Sequence, residues 1–246
     1  MPPRIKTPKD LDVVILCGGT GTRLRSVVHD RPKPMAEVQG RPFLDLLIAY
    51  FAGYGCRRFV LCTGHQGDRI RDYYAASDLE IAMSHETEPL GTAGAVAHAK
   101  DMIHSDPFLL INGDSHCPVD VAGLLAFHRS RQAQLTLVVT QSEDTKDQGR
   151  VIFGQNFRLI RFDEKDPEAG AGYVNAGIYL LEKIVLSQIP KEGRCSLEYD
   201  LLPRQVSRDT YVYVCDAPLI DIGTPERYAF ARTFFANHEI YPHPES

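Results

Sequence analysis

The 246-residue chain predicts an α/β fold built on a largely parallel, doubly wound sheet, and three features carry that prediction. Short strand-like stretches recur at 13–17, 58–62, 79–83 and 108–111, the first of them an unbroken apolar run rich in β-branched residues, the pattern of a buried parallel strand. Segments of helical periodicity separate them, and repeated strand–loop–helix units imply right-handed crossovers. From about residue 141 the strands shorten and the turns become glycine-rich or charged, which predicts an antiparallel or mixed sublobe.

The first ten residues are polar and proline-containing and read as a loose lead-in. The strand at 13–17 stops on Gly18-Gly19-Thr20-Gly21, and prolines 32 and 34 forbid a regular helix over 26–34. Pro42 opens a helix whose Phe43, Leu46, Leu47, Tyr50, Phe51 and Tyr54 share one apolar face, with Gly53 and Gly55 near its end. The strand at 58–62 runs into Thr63-Gly64-His65, and a helix is expected over 68–74. After the strand at 79–83 comes 86–95, whose threonine is expected to cap a helix continuing through Ala99 to Ile103. The strand at 108–111 ends in Asn112-Gly113-Asp114. A helix around 121–131 leads to a strand at 135–140, followed by short strands near 151–153, 159–162, 173–181 and 211–215. Pro225 starts a closing helix with Tyr228, Ala231, Phe234 and Phe235 on one face. With no repeat, low-complexity stretch or clear linker, one domain over 1–246 is expected, its ligands at the carboxyl ends of the strands.

Hydrophobic residues at 43% and charged residues at 24% are ordinary for a globular chain. A net charge of −5 argues against nucleic-acid binding as the main task. No apolar run approaches the roughly 20 residues needed to cross a bilayer, and the opening residues lack the apolar stretch of a secretory signal. Cysteines 17, 56, 62, 117, 195 and 215 lie mostly inside apolar runs, without C-x-x-C pairs or zinc spacing. They read as small buried hydrophobes of a reducing compartment, so a cytoplasmic protein with no membrane partner is expected.

The chemistry concentrates on 12–25 and on Arg31-Pro32-Lys33-Pro34-Met35. The glycines let the backbone turn sharply, and its successive N–H groups form an anion-binding nest. Arg23 and Lys33 add charge just beyond, so the combination suits a polyphosphate. A Walker A loop finds no lysine or second glycine at its positions. A dinucleotide fingerprint would need its third glycine where Leu24 stands. The remaining pattern, G-G-x-G-T-R-L followed by P-K-P, resembles the nucleoside-triphosphate:sugar-1-phosphate nucleotidyltransferases, and the resemblance extends across nearly the whole chain. It implies a Rossmann-like, doubly wound mixed sheet with a small sugar-binding sublobe, the nucleotide-diphospho-sugar transferase fold. Residues 1–140 would serve mainly the nucleotide, 141–220 mainly the sugar, and 221–246 a metal aspartate and the closing helix. The implied reaction joins a nucleoside triphosphate to a sugar 1-phosphate and releases pyrophosphate.

By the same resemblance Arg23 and Lys33 contact the phosphates, and Leu16, Gly18, Gly19, Thr20, Gly21 and Thr22 surround the nucleotide. The E-P-L-G-T-A-G segment packs beside the base, which implicates Glu88, Leu90, Gly91 and Thr92, with Asn112 nearby. Gly91 and Gly94 are expected to let the main chain approach a planar ring. Glu86 or Glu88 can accept from the N1–H and N2–H₂ donors of guanine, where uracil offers a single N–H. Mg²⁺ is the expected cofactor, bound by one or two carboxylates plus phosphate oxygens and water. Asp114 matches the metal aspartate of the family's G-D pair, with Gly113 expected to leave room for a bulky ligand; Asp221, in I-D-I-G-T-P-E, matches the second metal contact. His116 and Cys117 have no partner at ligand spacing. On the sugar side Glu164-Lys165 matches an E-K pair, the lysine for the sugar's phosphate and the glutamate for a hydroxyl. Asn175, in V-N-A-G-I-Y, faces the sugar, and Gly149 offers its backbone although Gln148 stands where the family often has an aromatic residue.

Within the family, the motifs are most similar to those of D-glycero-α-D-manno-heptose 1-phosphate guanylyltransferases, which make GDP-heptose for bacterial surface glycans; the 196–200 segment before Pro203 shares that likeness. GTP is therefore the favoured nucleotide. Mannose 1-phosphate with GTP, N-acetylmuramate 1-phosphate with UTP, and glucose 1-phosphate with dTTP or UTP use the same phosphate machinery. A non-catalytic sugar-nucleotide sensor on the same fold would be free to lose Arg23, Lys33, Asp114 or Asp221, and all four are present.

Overall fold

Alternation along the first strand decides how the sheet is covered. Val13 and Ile15 point to one face and Val14 to the other, each buried in a separate apolar cluster. The computed structural model describes residues 5–19, 21–165 and 170–238, so Thr20 lies outside the described residues. In chain order the elements are β1 (Asp12–Leu16), β2 (Glu37–Val38), β3 (Arg41–Pro42), α1 (Phe43–Gly53), β4 (Arg58–Thr63), α2 (Gly67–Tyr74), β5 (Glu80–His85) and α3 (Gly91–His98). There follow β6 (Phe108–Asn112), β7 (Ser115–His116), α4 (Val121–Ser130), β8 (Leu135–Ser142), β9 (Arg150–Phe153), β10 (Leu159–Asp163) and β11 (Gly172–Leu181). The chain closes with β12 (Thr210–Val214), β13 (Ile220–Asp221) and α5 (Pro225–Asn237).

Nine of these strands form one mixed sheet. β5, β4, β1 and β6 run parallel, with Val14 opposite both Val60 and Leu110. β11 enters antiparallel beside β6, β8 lies antiparallel to β11, and β12 is parallel to β8. The register of β11 against β8 shifts between Asn175 and Tyr179. Beyond that irregularity the first half of β11 leaves β6 and pairs with β9, which forms a hairpin with β10. One long strand thus joins the parallel half to the antiparallel sublobe.

The two faces are covered as the alternation requires. On one side Val13 and Ile15 meet Phe43, Leu46, Leu47 and Phe51 of α1, Ile70 of α2 and Phe235 of α5. On the other Val14 meets Ala93 and Val96 of α3. Each fully buried side chain of this size contributes about 1.5–3 kcal/mol relative to exposure. The single apolar face expected of α1 is an underestimate, because Leu44 and Ile48 are buried as well. Phe235 sets its ring edge on Phe43 at 5.9 Å, and Tyr50 donates to the Val119 carbonyl at 2.9 Å, so α1 is enclosed. All six cysteines are buried free thiols. No described helix is long and apolar enough to cross a membrane.

α3 departs from its expected form. Thr92 does not cap it: the helix begins at Gly91 with Leu90 at the N-cap, and Thr92 sits inside the first turn. The helix also ends at His98 and gives way to a 3₁₀ turn at Lys100–Met102 instead of continuing to Ile103.

Candidate active site

The loops that follow β1, β4, β5 and β6 all emerge at one edge of the parallel strands, where the chain order reverses across β1. They enclose a cavity of about 800 Å³. Leu16, Gly18 and Gly19 line it beside Lys33; Glu88, Gly91 and Thr92 form another wall, and Asn112 and Asp114 a third. Asn112 Oδ1 is buried with no partner among the described residues, which leaves an acceptor for a ligand. Gly21 borders Lys33 from a second, smaller cavity of about 300 Å³ behind the loop, and Thr22 opens the 3₁₀ turn that carries Arg23. Arg23 is exposed.

The acidic end of the cavity is built by backbone contacts. Gly113 donates its N–H to the Leu16 carbonyl at 3.0 Å, and a Cβ at this position would stand 2.5 Å from that oxygen. Glycine is therefore needed for the end of β6 to close on β1, not to make room for a ligand. Beyond it β7 pairs antiparallel with β13, which sets Asp221 opposite Ser115, and Ile222 donates to the Asp114 carbonyl at 3.0 Å. This two-residue ladder brings Asp114 and Asp221 together. Lys33 Nζ lies 2.5 Å from Asp114 Oδ2. Asp221 Oδ1 accepts from the Gly223 N–H at 2.7 Å, and Arg227 Nη1 stands 3.2 Å from Asp221 Oδ2. Among the described residues no group of three or more His, Cys, Asp or Glu side chains could hold a metal. Two carboxylates with only oxygen donors fit Mg²⁺ that completes its shell with water and phosphate. His116, next to this pair, belongs to the core: its ring packs edge-on against Tyr50, and burial pulls its pKa down to about 4.

At the opposite end the two candidate base readers separate. Glu86 is half-buried; its Oε2 accepts from the Leu90 N–H at 3.2 Å, and its Oε1 lies against Gly18 and Gly64. Glu88 is exposed at the rim. Gly91 and Gly94 also pack the start of α3 onto a distant segment, while Gly91 keeps its place in the cavity wall. Ala93 and Gly94 donate to the Cys195 carbonyl at 3.0 and 3.1 Å, and Cys195 donates to the Leu90 carbonyl at 2.8 Å. Gly91, with φ +78°, is pressed so close that a Cβ would stand 2.5 Å from the Cys195 oxygen. The clasp carries Arg194 and Glu198 into the cavity wall. Glu198 Oε2 accepts from Thr92 Oγ1 at 2.7 Å and from Ser196 Oγ at 2.9 Å, while Thr92 Oγ1 accepts from the Leu197 N–H. No motif in the sequence marks Arg194 or Glu198 as a site residue. The only available signal was the 196–200 segment, and a π-helical turn at Leu197–Leu201 has no periodicity to read.

The sublobe gathers the remaining candidates. Gly149 packs against Phe162, Glu164 and Asn175, and its carbonyl accepts from the Asn175 N–H at 2.8 Å. Asn175 spends its side chain within β11, donating to Tyr179 Oη at 2.6 Å and accepting from the Gly177 N–H at 3.1 Å. Burial, reinforced by the nearby Glu198 carboxylate, raises the Glu164 pKa to about 7, and Lys165 and Arg23 act in the opposite sense. Lys165 is exposed. The Glu198 carboxylate and the Arg23 guanidinium, from two other segments, thus both act on the charge of Glu164.

The nucleotidyl transferase family matches residues 12–238, and the chain belongs to it. Particular relatives narrow the comparison. The chain is 34% identical over 225 residues to D-glycero-alpha-D-manno-heptose 1-phosphate guanylyltransferase of Aneurinibacillus thermoaerophilus, covering 90% of this chain and 97% of that one. It is 33% identical to Mannose-1-phosphate guanylyltransferase of Mycobacterium tuberculosis, over 89% of this chain and 62% of that protein. Among solved structures it resembles HddC from Yersinia pseudotuberculosis complexed with GMP-PN, with 34% identity, a TM-score of 0.79, and coverage of 92% of this chain and 99% of that one.

Proposed function

We propose that the protein is a Mg²⁺-dependent guanylyltransferase that joins GTP to D-glycero-α-D-manno-heptose 1-phosphate, giving GDP-heptose and pyrophosphate. One observation carries the reading: a single cavity has the half-buried Glu86 carboxylate at one end and the Lys33–Asp114 pair at the other. The similarity to named heptose 1-phosphate guanylyltransferases supports the choice of sugar. Mannose 1-phosphate is the second reading, supported by the likeness to mannose enzymes.

In the proposed reaction a phosphate oxygen of the sugar attacks the α-phosphorus, and the bond from that phosphorus to the oxygen bridging to the β-phosphate breaks. The leaving pyrophosphate takes the electron pair. Two anions are thereby brought together, so charge must be neutralised where it develops. Lys33 and Arg23 supply that positive charge, and the loop of Gly18, Gly19 and Gly21 offers its N–H groups. Bound Mg²⁺, held by Asp114 and Asp221, would offset phosphate charge and orient the phosphate oxygens. Lys165 and Arg194 would meet the sugar's phosphate, with Glu164 and Glu198 accepting from hydroxyls. Residues 1–140 would serve mainly the nucleotide and 141–220 mainly the sugar, in a cytoplasmic enzyme feeding bacterial surface polysaccharide.

Glu86, the better-buried of the two acids, is assigned to the guanine edge in place of Glu88. Replacing Glu86 by Gln should reduce the preference for GTP over UTP in kcat/KM, and an unchanged ratio would remove the assignment. Pyrophosphate release should be measured with Mg²⁺ and GTP, UTP, dTTP, CTP or ATP, each crossed with heptose, mannose, glucose and N-acetylmuramate 1-phosphates. Turnover is expected with GTP and the heptose phosphate. Turnover with another pair would keep the chemistry and replace the substrate; none with any pair would favour a sugar-nucleotide sensor.

A further inference from the structure

Each of the two aspartates assigned to Mg²⁺ already carries a cation supplied by the chain. Lys33 Nζ sits 2.5 Å from Asp114 Oδ2, and Arg227 Nη1 sits 3.2 Å from Asp221 Oδ2. The Lys33 contact involves the residue assigned to the phosphates. The Arg227 contact has no such explanation, because the D-x-G-T-P-E-x-Y pattern leaves position 227 open.

Its setting is well defined. Thr224 caps α5, accepting from the Arg227 N–H at 3.3 Å, and Pro225 opens the helix. A cation in the first turn of a helix opposes the helix dipole, so helix stability gives no reason for an arginine here. What favours it is Asp221. The Gly223 N–H holds Asp221 Oδ1 at 2.7 Å, which leaves Oδ2 as the oxygen the guanidinium occupies. Both side chains retain partial solvent contact, 38% for Arg227 and 19% for Asp221, so the pair can open without unfolding anything.

We propose that Arg227 is a positioning residue that serves as a displaceable counter-cation for Asp221, as Lys33 does for Asp114, so that the divalent cation binds only together with nucleotide phosphates. With both carboxylates neutralised, a cation arriving alone finds little net negative charge and must first remove a guanidinium from Oδ2. Nucleotide phosphates draw Lys33 and Arg227 to themselves, expose both carboxylates and bring the remaining metal ligands. The inference rests on the assignment of the metal to Asp114 and Asp221, and it adds an order of binding to that assignment.

The test is a titration of the free Mn²⁺ electron paramagnetic resonance signal with intact protein, with and without a non-hydrolysable GTP analogue. Wild type should bind Mn²⁺ weakly alone and far more tightly with the analogue. Arg227→Gln should bind Mn²⁺ several-fold more tightly than wild type in the absence of the analogue, and Arg227→Lys should stay close to wild type. Nucleotide-free binding by Arg227→Gln that equals or falls below wild type would overturn the proposal, as would Arg227→Lys binding as tightly as Arg227→Gln. Asp221→Asn separates the two assignments. If it weakens Mn²⁺ binding in the analogue complex while Arg227→Gln changes nothing, only the counter-cation role fails; if Asp221→Asn also leaves binding unchanged, the metal assignment fails with it.

Discussion

Lys33 stands where two demands meet. It neutralises Asp114 at 2.5 Å with its side chain only 12% exposed, and it lines the cavity that the phosphates would enter. Lys33→Ala should therefore remove transition-state stabilisation worth roughly 10²–10³ in kcat, read by steady-state kinetics. Near-normal kcat would mean the phosphate role is misassigned. Glu164 makes a separate prediction through its raised pKa of about 7, which follows from burial and from the Glu198 carboxylate. Below that pH the carboxyl is protonated and loses acceptor capacity, so KM for the sugar phosphate should rise as pH falls through about 7. Glu164→Gln should flatten this profile. The sign for stability is opposite: a carboxyl whose folded-state pKa is raised favours folding at low pH and opposes it as pH rises towards 7 and beyond. Thermal denaturation at about pH 8 should accordingly find Glu164→Gln at least as stable as wild type.

Between elements, the clasp between the start of α3 and the segment around Cys195 has a clear weak point. Gly91 combines a φ of +78° with a Cβ position 2.5 Å from the Cys195 carbonyl oxygen. Gly91→Ala must push the 194–198 segment away, and with it Arg194 and Glu198. A lower melting temperature together with a raised KM is expected, and an unaltered KM would separate the clasp from the site. This clasp also explains why Thr92 does not cap α3. A threonine followed by an apolar helix is a good capping signal, but the cap position went to Leu90 and the orphan N–H groups of Ala93 and Gly94 went to Cys195. The partner carbonyl is a hundred residues away, and no local pattern announces it.

Across the whole molecule, the loops at the carboxyl ends of β1, β4, β5 and β6 line one cavity, so a ligand bound there should stabilise the sheet that holds them. Ligand at a hundredfold excess over Kd adds about 2.7 kcal/mol, which for a chain of this size is roughly 5–10 °C in Tm. Mg²⁺ with GTP should produce such a shift in a thermal-melt assay and Mg²⁺ with UTP a smaller one; equal shifts would count against guanine selection. The parallel strands and the helices α1, α2, α4 and α5 were all readable in the sequence, because apolar periodicity is a local property that burial enforces residue by residue. The candidate phosphate loop stands out in the sequence for a related reason: its glycines, Arg23 and Lys33 are neighbours in the chain. The two-residue strands β7 and β13, which join Asp114 to Asp221, are too short to carry any period. The burial of Glu86 beside an exposed Glu88, the side-chain bonds of Asn175 within β11, the closure of Gly113 on Leu16, and the arrival of Arg194 and Glu198 were equally out of reach. Each of these depends on which backbone group or side chain from a distant segment comes to lie opposite. Chain order records the identity of such partners, but their distance exists only once the sheet has brought the segments together.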